Sequence, residues 1–247
     1  MSVVVDNMPK LSEEQLERYS ATIGLEDIKE EGQIKLLNSS VLVVGAGGLG
    51  SSALLSLATL GIGHIGIVDF DNISLSNLPR QYLYDYKDIG KSKALTAKRI
   101  LRKKNPDLDI RVYPYKLDEK NARRIIKKYD IVLDCTDNFE TKFLINDVCL
   151  KTKTPFVIAG VEDYKGQIMT CIPGESMDFK SLFNPLPHSI EESRYVYPPE
   201  VSIIALIAAS EVVKYLAGIG ELLTNSLLVI DTLKTSFKKI EVPFNKK

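Results

Sequence analysis

The 247 residues carry 32 Lys plus Arg against 32 Asp plus Glu, so no net charge draws the chain to nucleic acid or to a membrane surface. Three cysteines, Cys135, Cys149 and Cys171, form no CxxC pair, which excludes a cystine-stapled fold, gives no zinc site and suits a reducing cytoplasm. The length fits one large α/β domain or two small ones, and the longest apolar stretch, Val201 to Val213, is too short for a bilayer and is interrupted by Ser202, Ser210 and Glu211.

In chain order, Met1 to Lys10 lacks the basic-then-apolar order of a signal peptide, and a cytoplasmic protein is the expectation. Ser12 precedes Gln15 by the capping-box interval, which predicts a short helix over Leu11 to Ser20; a second follows over Asp27 to Leu37. Val41 to Val44 reads as a fully apolar strand, Ser51 to Leu60 as a helix packed on the sheet, and Ile65 to Val68 as a strand ending at Asp69. The alternation continues with a basic helix over Gly90 to Lys104, a strand over Leu108 to Tyr113, a helix over Glu119 to Lys128 and a strand over Ile131 to Leu133. This order predicts a doubly wound, Rossmann-like α/β fold with a parallel sheet. A helix over Asn138 to Lys151 and a strand over Phe156 to Ala159 follow, and Tyr164 to Ile172 is expected to pair antiparallel. Pro173 to Pro199 holds five of the eleven prolines, including Pro185 and Pro187, and reads as a loop that either faces substrate or serves as a crossover. A buried helix over Val201 to Ala217 and a hairpin of Leu227 to Ile230 with Phe237 to Val242 close the chain into a mixed sheet with an antiparallel C-terminal part.

The chemistry-bearing residues lie at the ends of the predicted strands. Gly45-Ala46-Gly47-Gly48-Leu49-Gly50 satisfies G-x-G-x-x-G between a strand and a helix, where backbone N–H groups and a helix N-terminus meet phosphate oxygens. Asp69 stands at the spacing of an acidic residue that accepts hydrogen bonds from a ribose, a pattern that fits NAD, FAD and ATP alike. Three clusters then bear on which nucleotide. Asp71 to Gln81 includes Ser76, Asn77 and Arg80; Gly90-Lys91-Ser92-Lys93 brings lysines to a helix start, where Arg80 and Lys93 form a phosphate clamp; Asp134-Cys135-Thr136-Asp137-Asn138 brings carboxylates to the edge of the sheet where ligands bind, one able to hold magnesium. Each has a plain alternative: Arg80 in a surface ion pair, Lys93 on a solvated helix face, Asp137 as the N-cap of a helix starting at Asn138. Cys135 reads as a small buried thiol.

Taken together from Arg18 onward, these motifs resemble the ubiquitin-activating-type adenylyltransferases of molybdopterin and thiamine biosynthesis, the relatives of MoeB, ThiF and HesA. The resemblance implies one adenylation domain over residues 1–247, with N-terminal helices at 11–38, a nucleotide-binding half at 40–160 and a crossover loop with C-terminal sheet and helix at 161–247. It implies ATP with Mg2+, and a small ubiquitin-like β-grasp partner ending in Gly-Gly whose carboxylate becomes an acyl-adenylate. By the same resemblance Gly45, Gly47, Gly48 and Gly50 lie along the ATP phosphates, Asp69 takes the ribose with Asp71 beside it, and Ser76, Asn77, Arg80 and Lys93 line the phosphate site. Asp137 with Asn138 positions magnesium, and the protein is a homodimer that binds no nucleic acid and no membrane.

Three departures from the family pattern stand out. The two CxxC pairs that hold zinc in many relatives are missing, the stretch from Phe179 to Glu200 has no cysteine for a thioester, and Ala21 stands where the family continues Arg-Tyr-Ser with an arginine. Ala21 keeps a noncatalytic partner subunit as an alternative function, with Lys29 or Lys35 as candidates to replace the missing charge. An NAD-dependent oxidoreductase would need only the glycine loop and Asp69. Adenylation of a modified tRNA base is disfavoured by the neutral net charge. His64 and His188 have no partner spacing that indicates a role, and the basic residues Lys98 to Lys104 and Arg123 to Lys128 read as solvated helix faces.

Overall fold

The computed structural model describes residues 10–183 and 195–244, and the first helix in it begins where the capping box predicts. The Gln15 N–H donates to the Ser12 hydroxyl and the Ser12 N–H to the Gln15 side chain, which starts α1 (Glu13–Arg18). Tyr19 leaves helical geometry, so the segment expected to run to Ser20 breaks into α1 and a single turn, α2 (Ser20–Ile23). Helix α3 (Lys29–Leu37) starts two residues later than expected, after Ile28, with Lys29 in the left-handed region at φ 51°.

The sheet has eight strands in the order β3-β2-β1-β4-β5-β6-β7-β8. Five run parallel: β1 (Ser40–Val44), β2 (His64–Val68), β3 (Asp109–Tyr113), β4 (Ile131–Asp134) and β5 (Phe156–Glu162). The remaining three, β6 (Lys165–Cys171), β7 (Ser226–Asp231) and β8 (Ser236–Glu241), continue antiparallel, as the change of pattern after Tyr164 predicts. Alternate residues of β1 face opposite sides, which divides the interior into two apolar layers. Val41 and Val43 join α4 (Gly48–Leu60), α5 (Lys93–Lys104) and α9 (Pro198–Ala217); Leu42 and Val44 join α6 (Ala122–Ile126), α7 (Phe139–Thr152) and α8 (Phe179–Phe183). Helices on both faces of a parallel sheet leave its C-terminal edge as the place where loops from several strands meet.

Several boundaries differ from the sequence expectations for local reasons. Helix α4 starts at Gly48, inside the glycine run, because its N-cap is Gly47. Helix α6 is five residues long because Asp118 Oδ1 accepts from the amides of Lys120 and Asn121 and holds the preceding residues in a turn. The proline-rich stretch is not all loop: α8 lies within it, and Pro198 and Pro199 form the first turn of α9, where a proline's missing N–H costs nothing. Pro185, Pro187 and His188 lie outside the described residues.

Gly63 shows how tightly the N-terminal helices close on the sheet. Its N–H donates to Leu36 O at 3.1 Å, and a Cβ there would overlap the Leu37 carbonyl, which is backbone and has no rotamer to yield. Gly63→Ala is expected to cost roughly 2–4 kcal/mol, lowering the melting temperature by about 5–10 °C in a thermal unfolding scan.

Candidate active site

The site is built outward from the glycine turn after β1. Gly45 adopts φ 93°, and a Cβ on it would lie 2.7 Å from Cys135 O, so the turn after β1 presses directly on the loop after β4. A Cβ on Gly50 would overlap the Gly45 carbonyl, so the third glycine lets the first turn of α4 fold back on the strand end. Ala46 between them is gripped from two sides. Its N–H donates to Asp69 Oδ2 at 2.7 Å, and its carbonyl accepts from the Tyr84 hydroxyl at 2.7 Å. The same hydroxyl lies 3.3 Å from Lys93 O, so Tyr84 links the glycine turn to the start of α5.

Asp69 is buried at the end of β2, and its other oxygen accepts from the Asp71 N–H at 2.8 Å. Burial pushes its carboxyl up from the ordinary value, opposed by the two amide hydrogen bonds and by nearby Lys93. Both oxygens retain lone pairs for further donors.

Lys93 corrects one alternative reading. It is 6% exposed rather than on a solvated face, and its Nζ pairs with Asp71 Oδ2 at 2.9 Å. Its backbone N–H also donates to Asp71 O at 3.0 Å, which ties the start of α5 to the loop after β2. The Gly90 turn before it (φ 85°) is anchored by Asp88, whose fully buried carboxylate meets Lys91 Nζ at 3.0 Å and Arg99 Nη2 at 2.8 Å. Arg99 stays exposed while its guanidinium reaches Asp88; Arg102, Lys103, Lys104, Arg123, Arg124, Lys127 and Lys128 are exposed as expected, and Lys98 is half-buried.

Arg80 is half-buried and makes no ion pair among the described residues. Its Nη1 donates to Ser76 O at 2.9 Å, and its Cδ would lie 3.7 Å from a Cβ on Gly48. Asn77 Oδ1 accepts from the Ser74 N–H at 3.1 Å, and the Ser74 and Ser76 hydroxyls stand 3.0 Å apart, so this turn is held by its own side chains.

Asp137 and Asn138 lie on the adjacent loop after β4, placed there by the register that pairs Asp134 with Val44 and by the Cys135 N–H donating to Val44 O at 2.8 Å. The N-cap of α7 is Asn138, whose Oδ1 accepts from the Thr141 N–H at 2.9 Å; Asp137 does not cap the helix. The Asp137 carboxylate is exposed and meets Asn138 Nδ2 at 3.3 Å.

The donor set suits a nucleotide with a loosely held magnesium. Helix α4, thirteen residues long, has Gly47 as its N-cap and no side-chain cap, and the buried amide of Gln81, whose Oε1 has no partner among the described residues, sits beside Gly47. Among the described residues no three His, Cys, Asp or Glu side chains gather as a metal cage, and one open carboxylate fits an ion whose other positions are filled by phosphate oxygens and water. A depression of about 410 Å3 lined by His64, Asp109 and Arg111 lies at the opposite, N-terminal edge of the strands, away from these groups; there His64 pairs with Asp109 at 3.2 Å.

Residues 19–247 match the model of the ThiF family. The chain belongs to that family. It is 36% identical over 245 residues to the sulfur carrier protein adenylyltransferase of Thermus thermophilus, covering 95% of this chain and 90% of that protein. It is 36% identical over 251 residues to the probable adenylyltransferase/sulfurtransferase MoeZ of Mycobacterium tuberculosis, of whose length it spans 63%. The crystal structure of Escherichia coli MccB with ATP superposes with a TM-score of 0.80 at 25% identity, over 91% of this chain and 71% of that one.

Sequence reasoning passed over Tyr84, Asp88 and Lys142, and it gave Gln81 no role. Tyr84 and Lys142 belong to neither the glycine nor the acidic patterns and act on Ala46 and Ala159, 38 and 17 residues away, whereas Asp88 lies three residues from Lys91, within local reach.

The three thiols are buried and free. Burial, reinforced by Asp134, pushes Cys135 and Cys149 up, and burial beside Asp178 does the same for Cys171, so none is a thiolate at neutral pH. Iodoacetamide at pH 8 is expected to leave all three unmodified in the folded protein and to label all three after unfolding, read by intact-mass spectrometry.

Proposed function

We propose that this ThiF-family chain is an ATP-dependent adenylyltransferase that activates the C-terminal glycine carboxylate of a small β-grasp sulfur-carrier or ubiquitin-like protein. The observation that carries the reading is the convergence of an uncapped glycine-turn helix, buried Asp69, Arg80 and the Asp71–Lys93 pair on one sheet edge, with Asp137 on the neighbouring loop. The name of the Thermus relative supports the substrate class.

In this reading the glycine turn and the N-terminus of α4 receive phosphate oxygens, and Asp69 accepts from the ribose. Arg80, with Ser76 and Asn77 in its turn, faces the phosphates across Gly48. Lys93 shares its charge between Asp71 and the nucleotide. A carboxylate oxygen of the partner attacks the α-phosphorus, the bond to the bridging oxygen breaks, and pyrophosphate leaves, giving the acyl-adenylate. No enzyme nucleophile is needed, in keeping with the buried thiols. These residues orient two anions in line and oppose the charge that grows on the phosphates. Magnesium, bound through the phosphates and Asp137 with Asn138, would supply further charge neutralisation.

Asp137→Asn and Arg80→Ala are each expected to lower partner-dependent ATP–pyrophosphate exchange by at least about a hundredfold while the melting temperature stays near wild type. Arg80→Ala should also weaken ATP binding, whereas Asp137→Asn should act chiefly on magnesium dependence. Wild-type exchange in both variants would remove the catalytic assignment.

Ala21 favours a second reading, a noncatalytic partner subunit. It lies exposed on α2, and of the two lysines that could replace the missing charge, Lys35 donates to Ala217 O at 3.1 Å at the end of α9. Absence of exchange by the protein alone, with exchange restored by a second subunit, selects that reading.

The protein is further proposed to work in the cytoplasm as a homodimer. The outer side of α9 exposes Leu206 and leaves Ile203 and Val213 half-covered, an apolar stripe that a second copy would bury. Light scattering at micromolar concentration should give twice the chain mass; a monomer at every concentration would remove the dimer.

A further inference from the structure

Behind the Asp137 loop lies a buried charge pair that the proposed chemistry does not use. Asp134 ends β4 with no exposed surface, and Lys142, 8% exposed, reaches it from α7 with Nζ 3.4 Å from Oδ1. The Thr136 N–H and hydroxyl donate to the same oxygen at 2.8 and 2.7 Å. Lys142 Nζ donates in turn to Ala159 O on β5 at 2.8 Å. Asp134 Oδ2 is buried without a hydrogen-bond partner.

This arrangement is a poor way to stabilise a core. Desolvating two charges costs about as much as their attraction returns, and packed apolar side chains of the same size often serve as well or better. The unpartnered Oδ2 adds to the cost. What the pair does supply is geometry, because three elements meet at it: the end of β4, the first turn of α7 and the middle of β5.

The chain between Asp134 and α7 is Cys135-Thr136-Asp137-Asn138. Asp134 fixes Thr136 by two hydrogen bonds; Asn138 is fixed from the other side through Thr141 N–H and through the Lys142 N–H, which donates to Asn138 O at 3.2 Å. Asp137 stands between the two clamped residues. Its own carboxylate is exposed and touches Asn138 alone among the contacts it makes within the loop, so its direction is set by the backbone frame rather than by side-chain packing.

We propose that Asp134 and Lys142 are positioning residues that hold the Asp137 loop in the orientation needed to meet a nucleotide-borne divalent cation. The proposal rests on the adenylation reading for the role of Asp137. Lys142 joins the loop to β5, and Asp134 converts that anchor into a fixed turn. Cys135, which the glycine turn presses on, is tied to Val44 O through its own N–H at 2.8 Å, so loosening either residue is expected to move the loop beyond it and to leave the glycine turn and Arg80 in place, with the defect falling on the cation rather than on the nucleotide.

The test uses Lys142→Met, which keeps an unbranched chain without the charge, Lys142→Arg, which keeps the charge, and Asp134→Asn, which keeps the shape and serves if Lys142→Met fails to fold. The probe is Mn2+ added to the protein–ATP complex and followed by electron paramagnetic resonance, beside ATP affinity measured without divalent metal and pyrophosphate exchange against magnesium concentration. Lys142→Met and Asp134→Asn are expected to weaken Mn2+ binding about tenfold or more, with metal-free ATP affinity within about twofold of wild type and exchange partly restored at high magnesium. Lys142→Arg should stay within about threefold throughout. A purely structural pair would lower the melting temperature and leave the Mn2+ affinity of the folded fraction unchanged; that result, or a wild-type complex that takes up no Mn2+, overturns the proposal. If the variants shift Mn2+ binding while the wild type exchanges pyrophosphate with no Gly-Gly partner, the positioning role stands and the adenylation reading fails.

Discussion

Two positions without side chains, Gly45 and Gly50, set the spacing on which the rest of this sheet edge depends. At Gly45 the carbonyl of Cys135 occupies the room a Cβ would need, and at Gly50 the Gly45 carbonyl does. The turns after β1 and β4 thereby come into backbone contact, and helix α4 starts immediately against the strand end. Any larger residue at Gly45 would push the glycine turn and the acidic loop apart, and one at Gly50 would push α4 off that turn, so both glycines are needed for packing alone.

The contact is then locked by groups that do not move easily. Ala46 has its N–H held by Asp69 and its carbonyl held by Tyr84, and Tyr84 also reaches the first residue of α5. Asp71 holds Lys93 through both backbone and side chain. The cluster is therefore organised in the protein alone. Lys93 is already paired with Asp71 and Arg80 is already held by Ser76 O, which lowers the reorganisation needed on binding an anion.

The sequence displayed the parallel half of the fold plainly, because apolar runs such as Val41 to Val44 and Ile131 to Leu133 have one sensible environment, a strand covered on both faces. The glycine run, Asp69 and the motif around Arg80 were equally legible, since each is a local pattern. Three kinds of feature were not. Helix ends moved wherever a side chain chose between capping and turning, as at Asp118 and Asn138, and an N-cap assignment cannot distinguish Asp137 from Asn138 by residue type. Lys93 read as half of a phosphate clamp, with a solvated face as the plain alternative, and nothing nearby in sequence discloses that it is buried and paired with Asp71, 22 residues earlier. Helix α8 was hidden in a proline-rich stretch, although Phe179 and Phe183 pack with Phe139 and Phe143 of α7 once the chain is folded.

The same distinction separates what the site does from what orients it. Groups that face the crevice sit in short motifs and are conspicuous one sequence at a time. Groups that fix their direction act through contacts between distant elements: Asp88 gathers Lys91 and Arg99 under the Gly90 turn, Tyr84 joins two loops, and Lys142 joins a helix to two strands. All are polar side chains placed in an apolar interior, where each costs solvation and is a weak source of stability. Their common position, one layer beneath Asp69 at the end of β2, Lys93 at the start of α5 and the loop that carries Asp137, gives that cost a physical purpose. A loop at the edge of a sheet is mobile by default, and a buried hydrogen-bonded charge beneath it restricts its direction in a way that apolar packing, which is indifferent to small rotations, cannot.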